Sequence, residues 1–134
     1  MAMNLDLRVS LVLALLVVSL FPTLSLLLSL SSTPYTEERA VEVALHFLKA
    51  SPTFSFDGIP NSVRVEAAEE VSAGSWRIAI SFQCRYYGYG DRSGQILLPV
   101  ITPHRMEVVV ERGEVVEAVI DGVWDELHQR PLGG

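Results

Sequence analysis

From Trp76 to Tyr87 the chain alternates with a period of two. Trp76, Ile78, Ile80, Phe82, Cys84 and Tyr86 share one parity, while Arg77, Ala79, Ser81, Gln83, Arg85 and Tyr87 share the other. Successive side chains of a strand leave opposite faces, so this stretch predicts a strand with one core face and one polar face. Gln83, Arg85 and Tyr87 then project together from the outer surface, about 7 Å apart in succession. A lone strand cannot bury such a face; it needs strand neighbours and a covering layer.

The neighbours are legible on both sides. Val63, Val65 and Ala67 alternate with Arg64 and Glu66 up to Ala73-Gly74, and Met106, Val108 and Val110 alternate with Arg105, Glu107 and Glu111. A last strand offers Val116, Ala118 and Ile120. Parity aligns those three with Met106, Val108 and Val110 only across a three-residue loop, Glu111-Arg112-Gly113, with Gly113 at positive φ. Pro99 breaks the apolar run Ile96–Ile101, which argues for an edge strand or a bulge. The covering layer is a helix. Thr36 stands as its N-cap, Glu37 and Glu38 fall in the first turn, and Val41, Ala44, Leu45 and Leu48 recur at helical spacing before Ser51-Pro52 stops it. Thr53–Asn61 reads as loop, with Asp57-Gly58 and Pro60 as turn formers. Trp124 and Leu127 pack in the tail. The predicted architecture is α+β: one helix on a four- to five-stranded antiparallel sheet over residues 36–128. Cystatin-like and PepSY-like domains are built this way, an analogy of fold that carries no activity.

Residues 1–31 stand apart. Val9–Leu30 contains no charged residue, a length that can span about 30 Å of hydrocarbon. It fits a retained transmembrane anchor, or a signal peptide with Ser29 and Ser31 before a cleavage site. The expected location is therefore the cell membrane, single-pass with the C-terminal domain outside, or secretion if the segment is cleaved. The rest carries nearly all the charge of a 134-residue chain at -6. Lacking a basic stripe, it is expected to bind no nucleic acid. A single cysteine, Cys84, excludes an internal disulfide and a cysteine-cluster metal site. No cofactor and no metal are expected.

Chemistry concentrates between Phe82 and His104. The segment Gly88–Gly94 is as glycine-dense as a phosphate loop but lacks Gly-Lys-Ser/Thr and a following helix. A hairpin connection is the plain alternative. Arg85, Tyr87, Tyr89, Asp91, Arg92 and Gln95 crowd together there, and aromatic and arginine side chains are the usual interface anchors. Parity turns His104 toward the core, as it does Cys84, while His46 and His128 read as solvated. Asp121 and Asp125 flank Gly122 and Trp124 as turn caps. Spacing alone assembles no nucleophile, base and acid.

The segments FDGIP, FQCRYYGYGDRSGQ, VITPH and DGVWDELHQ resemble those of a group of archaeal and bacterial extracytoplasmic proteins that carry them behind a signal or anchor. The resemblance covers most of the chain after Thr36. It implies that Arg85, Gly88, Gly90, Asp91, Arg92, Gly94, Gln95, His104, Asp121, Trp124 and Asp125 belong to a shared pattern, from which Cys84, Tyr86 and Tyr87 depart. It implies no activity. The function expected is a non-catalytic binding module, attached through residues 9–30 and recognising a protein or peptide with Gln83, Arg85, Tyr87, Tyr89, Asp91, Arg92, Gln95, His104, Asp121, Trp124 and Asp125. The alternatives are a small hydrolase using His104 with Asp91 or Asp121, and an accessory subunit of an envelope complex.

Overall fold

The structure, a computed structural model, describes residues 4–16 and 34–133. It divides into two compact units, Met1–Pro34 and Tyr35–Gly134. In the first, residues 5–16 are helical. Residues 17–30 of the uncharged run, and with them the expected spanning helix, lie outside the described residues. Among the described residues no helix is long and apolar enough to cross a membrane.

The second unit is α+β. Helix α1 (Glu37–Ala50) is followed by a short α2 (Pro52–Asp57), a 3-10 turn at Pro60–Ser62, and strands β1 (Arg64–Ser72), β2 (Ser75–Cys84), β3 (Thr102–Glu111), β4 (Glu114–Ile120), β5 (Trp124–Asp125) and β6 (Arg130–Pro131). The strands form one antiparallel meander in sequence order. The sheet thus has six strands rather than four or five, because the tail doubles back as two short ones, the last ending at Pro131. Helix α1 lies across β1 to β4. Its buried line is Ala40, Ala44 and Leu48, with Val41, Leu45 and Phe47 packed at the sides. Small alanines let the helix approach the sheet closely. Beneath it lie Ile78, Ile80, Phe82, Cys84, Met106, Val108, Val110, Ala118 and Ile120, the core that parity predicts for β2 and β3.

Four expectations are corrected. Residues 53–61 are not a plain loop. Pro52 stops α1 but serves as the first residue of α2, where its missing N–H is not needed, and Ser51 returns its hydroxyl to Leu48 O at 2.7 Å. On β1 a bulge between Val65 and Ala67 shifts the phase, so Ala68 rather than Ala67 turns inward, and Val65 on this edge strand is exposed. The β3–β4 turn is two residues long, Arg112-Gly113, pairing Val110 with Val115. Parity is restored one step later: Val109 pairs with Glu117, Val116 is the extra residue of a bulge and stands exposed, and Ala118 and Ile120 return to the core. Finally, Ile96–Ile101 is no strand. It belongs to the long connection from Cys84 to Thr102, and Ile96, Leu98, Val100 and Ile101 are exposed.

Candidate functional site

The connection between β2 and β3 leaves the end of the sheet at Cys84, earlier than the alternation suggests. The α2 end captures the strand's continuation. Ile59 N donates to Gln83 O at 2.8 Å, Arg85 N to Asp57 O at 3.2 Å, and Tyr86 N to the Asp57 carboxylate at 2.7 Å. Beyond Gln83 the chain therefore bends, and Gln83, Arg85 and Tyr87 do not stand in a row on one strand.

What fixes the bend is Arg92, only 2 % exposed. Its Nη2 donates to Asp57 Oδ1 at 2.7 Å and to Thr53 O at 3.0 Å. Nη1 donates to the carbonyls of Tyr86 and Tyr87 at 3.3 Å, and Nε to Gly90 O at 3.0 Å. The guanidinium also lies 4.7 Å from the centre of the Phe56 ring. A buried guanidinium has five N–H donors to satisfy, and here the loop's own carbonyls accept three of its bonds. The loop is thus wrapped around a charge.

A second buried carboxylate ties the same loop to the tail. Glu126 takes Thr53 N on Oε1 at 2.8 Å, and on Oε2 the Thr53 hydroxyl at 2.6 Å and the Trp124 indole N–H at 2.8 Å. Thr53 Oγ1 in turn accepts Gly90 N at 2.7 Å. A Cβ at Gly90 would lie 3.3 Å from the Trp124 ring, and its φ of +70° already favours glycine, so position 90 is doubly restricted.

His104 and Asp121 form the third element. Nδ1 of His104 is 2.7 Å from Asp121 Oδ2, which also accepts the Tyr89 hydroxyl at 2.9 Å, and Oδ1 accepts Arg105 N at 2.8 Å. The imidazole lies between the rings of Phe82 and Tyr89, both at 5.3 Å, and Tyr89 stacks on Trp124 at 5.7 Å. Burial, and then the Asp121 carboxylate, pushes the Tyr89 phenol well above its ordinary range. His104 Nε2 is buried with no hydrogen-bond partner among the described residues. The open depression of about 450 Å³ beside Phe82 and His104 is lined by Asn61, Ser62, Arg64, Ser81, Gln83 and Pro103. Phe82 and His104 line it too, while Ser81 and Gln83 belong to the outer parity of β2.

The candidate residues therefore divide. Arg92, His104, Tyr89, Trp124 and Asp121 are brought together with the unforeseen Thr53, Asp57 and Glu126 into a continuous network that shapes the loop. Gln83, Arg85, Asp91 and Gln95 are exposed, as is Tyr87 at 68 %. Asp91 does not reach His104's partners; it accepts the Ser93 hydroxyl and amide on Oδ1, and those bonds hold its carboxyl below the usual carboxylate range. Asp125 caps a turn through His128 N at 3.0 Å. Burial pushes the Cys84 thiol up to about 12, which makes it inert as a nucleophile at neutral pH. Among the described residues no cluster of three metal-ligating side chains occurs. Asp57 was legible only as a turn former after Phe56 and Glu126 only as one of two adjacent carboxylates, and Thr53 carried no signal at all.

In comparisons with known proteins, the chain matches no protein-family model, no curated protein and no solved structure.

Proposed function

We propose that Tyr35–Gly134 is a non-catalytic binding module, held outside a membrane by the uncharged run Val9–Leu30 and recognising a protein or peptide with Gln83, Arg85 and Tyr87. One observation carries this reading: a fully hydrogen-bonded, buried Arg92 moulds the loop that presents Arg85 and Tyr87 to solvent. Ordering a free loop costs about 1–2 kcal/mol per residue. A loop ordered in advance spares that cost when a partner binds, which is the usual gain of preorganisation.

The hydrolase reading rests on the His104–Asp121 pair at 2.7 Å. Against it, Nε2 is the nitrogen that would take a proton from a nucleophile, and it has no hydrogen-bond partner among the described residues; Tyr89 and Phe82 flank the ring. The pair and Tyr89 are better suited to holding β3 against the loop.

Affinity capture of the full chain from native membranes, followed by mass spectrometry, tests the module. Arg85→Ala with Tyr87→Ala should reduce the recovered partner at least tenfold while leaving the melting temperature unchanged. Undiminished recovery by that double variant would end the reading.

A further inference from the structure

Asp91 carries a charge to which neither the Arg92 clamp nor the surface of Gln83, Arg85 and Tyr87 gives a task. Its two carboxylate oxygens are unequal. Oδ1 accepts the Ser93 hydroxyl at 2.5 Å and the Ser93 amide at 3.0 Å, while Oδ2 has no hydrogen-bond partner among the described residues. The Ser93 bonds, the hydroxyl first and the amide next, hold the carboxyl below the usual carboxylate range, so it stays charged at neutral pH. Asp91 and Ser93 line an open depression of about 470 Å³ whose other walls are Pro52, Ser55 and Phe56 of α2. The Ser55 hydroxyl likewise has no partner among the described residues. Helix α2 and the loop meet here because the Asp57–Arg92 ion pair, at 2.7 Å, closes one on the other. The Arg92 guanidinium lies against the Phe56 ring, but it is buried and its charge is met by Asp57. No uncompensated cation lines the depression.

We propose that this depression seats the ε-ammonium of a lysine side chain presented by the protein or peptide partner, a step that rests on reading Tyr35–Gly134 as a binding module. The chemistry of the walls selects the occupant. An ammonium is a compact charge with three diverging donors, and Asp91 Oδ2, the Ser55 hydroxyl and the Ser93 hydroxyl offer three acceptors. A guanidinium suits the walls less. Its planar fork binds a carboxylate through both oxygens at once, and Ser93 already takes Oδ1 twice. The apolar walls say what carries the ammonium. Pro52 and Phe56 offer a track on which a lysine stem lies while its charged head stays among the polar groups. The short amine of an amino terminus or of a lipid headgroup has no such stem to bury. The depression also adjoins the backbone that carries Tyr87, because Arg92, packed on Phe56, donates to the carbonyls of Tyr86 and Tyr87.

Titration of the isotope-labelled full chain in detergent micelles tests the seat, read from the amide resonances of Ser55, Phe56 and Ser93. The probe is Nα-acetyl-lysine methylamide, which should shift those resonances saturably with millimolar affinity. The same compound acetylated on Nε has lost its charge and should bind at least tenfold more weakly. So should Nα-acetyl-arginine methylamide, and so should glycinamide and phosphoethanolamine, which stand for an amino terminus and a lipid headgroup. Asp91→Asn keeps an oxygen for the Ser93 bonds and removes the charge; it should weaken the lysine probe at least tenfold at an unchanged melting temperature. Ser55→Ala should weaken it severalfold. The proposal is overturned if the lysine probe gives no saturable shift at these residues, if the acetylated or the arginine probe binds as well, or if Asp91→Asn binds like the parent chain. Equal binding of glycinamide or of phosphoethanolamine overturns it in favour of an amino terminus or a headgroup. Arg85→Ala/Tyr87→Ala should titrate as the parent does. Lost partner capture in that double variant therefore leaves the lysine seat standing, and a failed titration leaves the partner surface standing.

Discussion

Removing the Arg92 guanidinium would leave Asp57 buried beside a loop whose carbonyls have lost their donor. Breaking a buried ion pair by deleting one partner costs about 3–5 kcal/mol, so Arg92→Ala should lower the urea midpoint by that equivalent. Arg92→Lys should rescue little, since an ammonium cannot reproduce the planar fork that reaches Asp57, Thr53 and Gly90 together. In Arg92→Met/Asp57→Leu the loss should be smaller than the sum of the single changes, because no charge is left stranded. Alkali tests two other residues. In the folded protein the Cys84 thiol is raised from 9.0 to about 12, first by burial, and the Tyr89 phenol is raised above 10.0. Both groups then ionise more easily in the unfolded chain. Their contribution is complete below about pH 9 and is lost as the pH climbs from there toward 12. Melting temperature against pH should fall across that window, and Cys84→Ala with Tyr89→Phe should flatten the fall.

Among the elements, the β3–β4 hairpin holds the two residues on which register depends. Arg112 and Gly113 have φ of 48° and 90°, the two left-handed positions of a type I′ turn. A Cβ at Gly113 would find its nearest neighbour, Tyr35, at 3.8 Å, so space is not the obstacle there. The obstacle is conformation, and Gly113→Val should cost about 1–2 kcal/mol in thermal unfolding. Val116 is the complementary case. It is the unpaired residue of the bulge, and deleting it leaves Val110 opposite Val115 and Val108 opposite Ala118 in an uninterrupted ladder. The deletion should keep the fold, with Ala118 and Ile120 still buried, rather than turn β4 inside out. Amide hydrogen exchange in β4 distinguishes the two outcomes.

For the whole molecule, location is the property on which the proposed function stands. If Val9–Leu30 holds the chain at a membrane, the full-length protein should sediment with membranes. Protease added to spheroplasts should then remove the domain after Thr36. Recovery of the intact chain from the cytosolic fraction would refute this. Within the domain, Tyr35 is at the Trp76 end of β2, where its carbonyl accepts the indole N–H, and the loop leaves from the Cys84 end. Where the domain begins and where it would recognise a partner are thus separated by the length of a ten-residue strand, about 30 Å.

Local periodicity was enough to read the α+β class, the core faces of β2 and β3, the inward turn of His104 and the place of α1, because each depends on side-chain spacing within one element. Register was not. Whether parity is reset at a turn or at a bulge depends on which neighbour a strand meets, and the alternation of Val115, Val116 and Glu117 is compatible with both. The loop was recognisable as the unusual stretch through its glycines, tyrosines and Asp91-Arg92, but its working was hidden. Asp57 and Glu126 act from 35 residues before and 34 residues after Arg92, positions that only the packing of α2 and the tail against the sheet end brings into hydrogen-bond range. A buried charge announces that it must have a partner, and the fold alone chose Asp57 for Arg92 and Thr53 with Trp124 for Glu126.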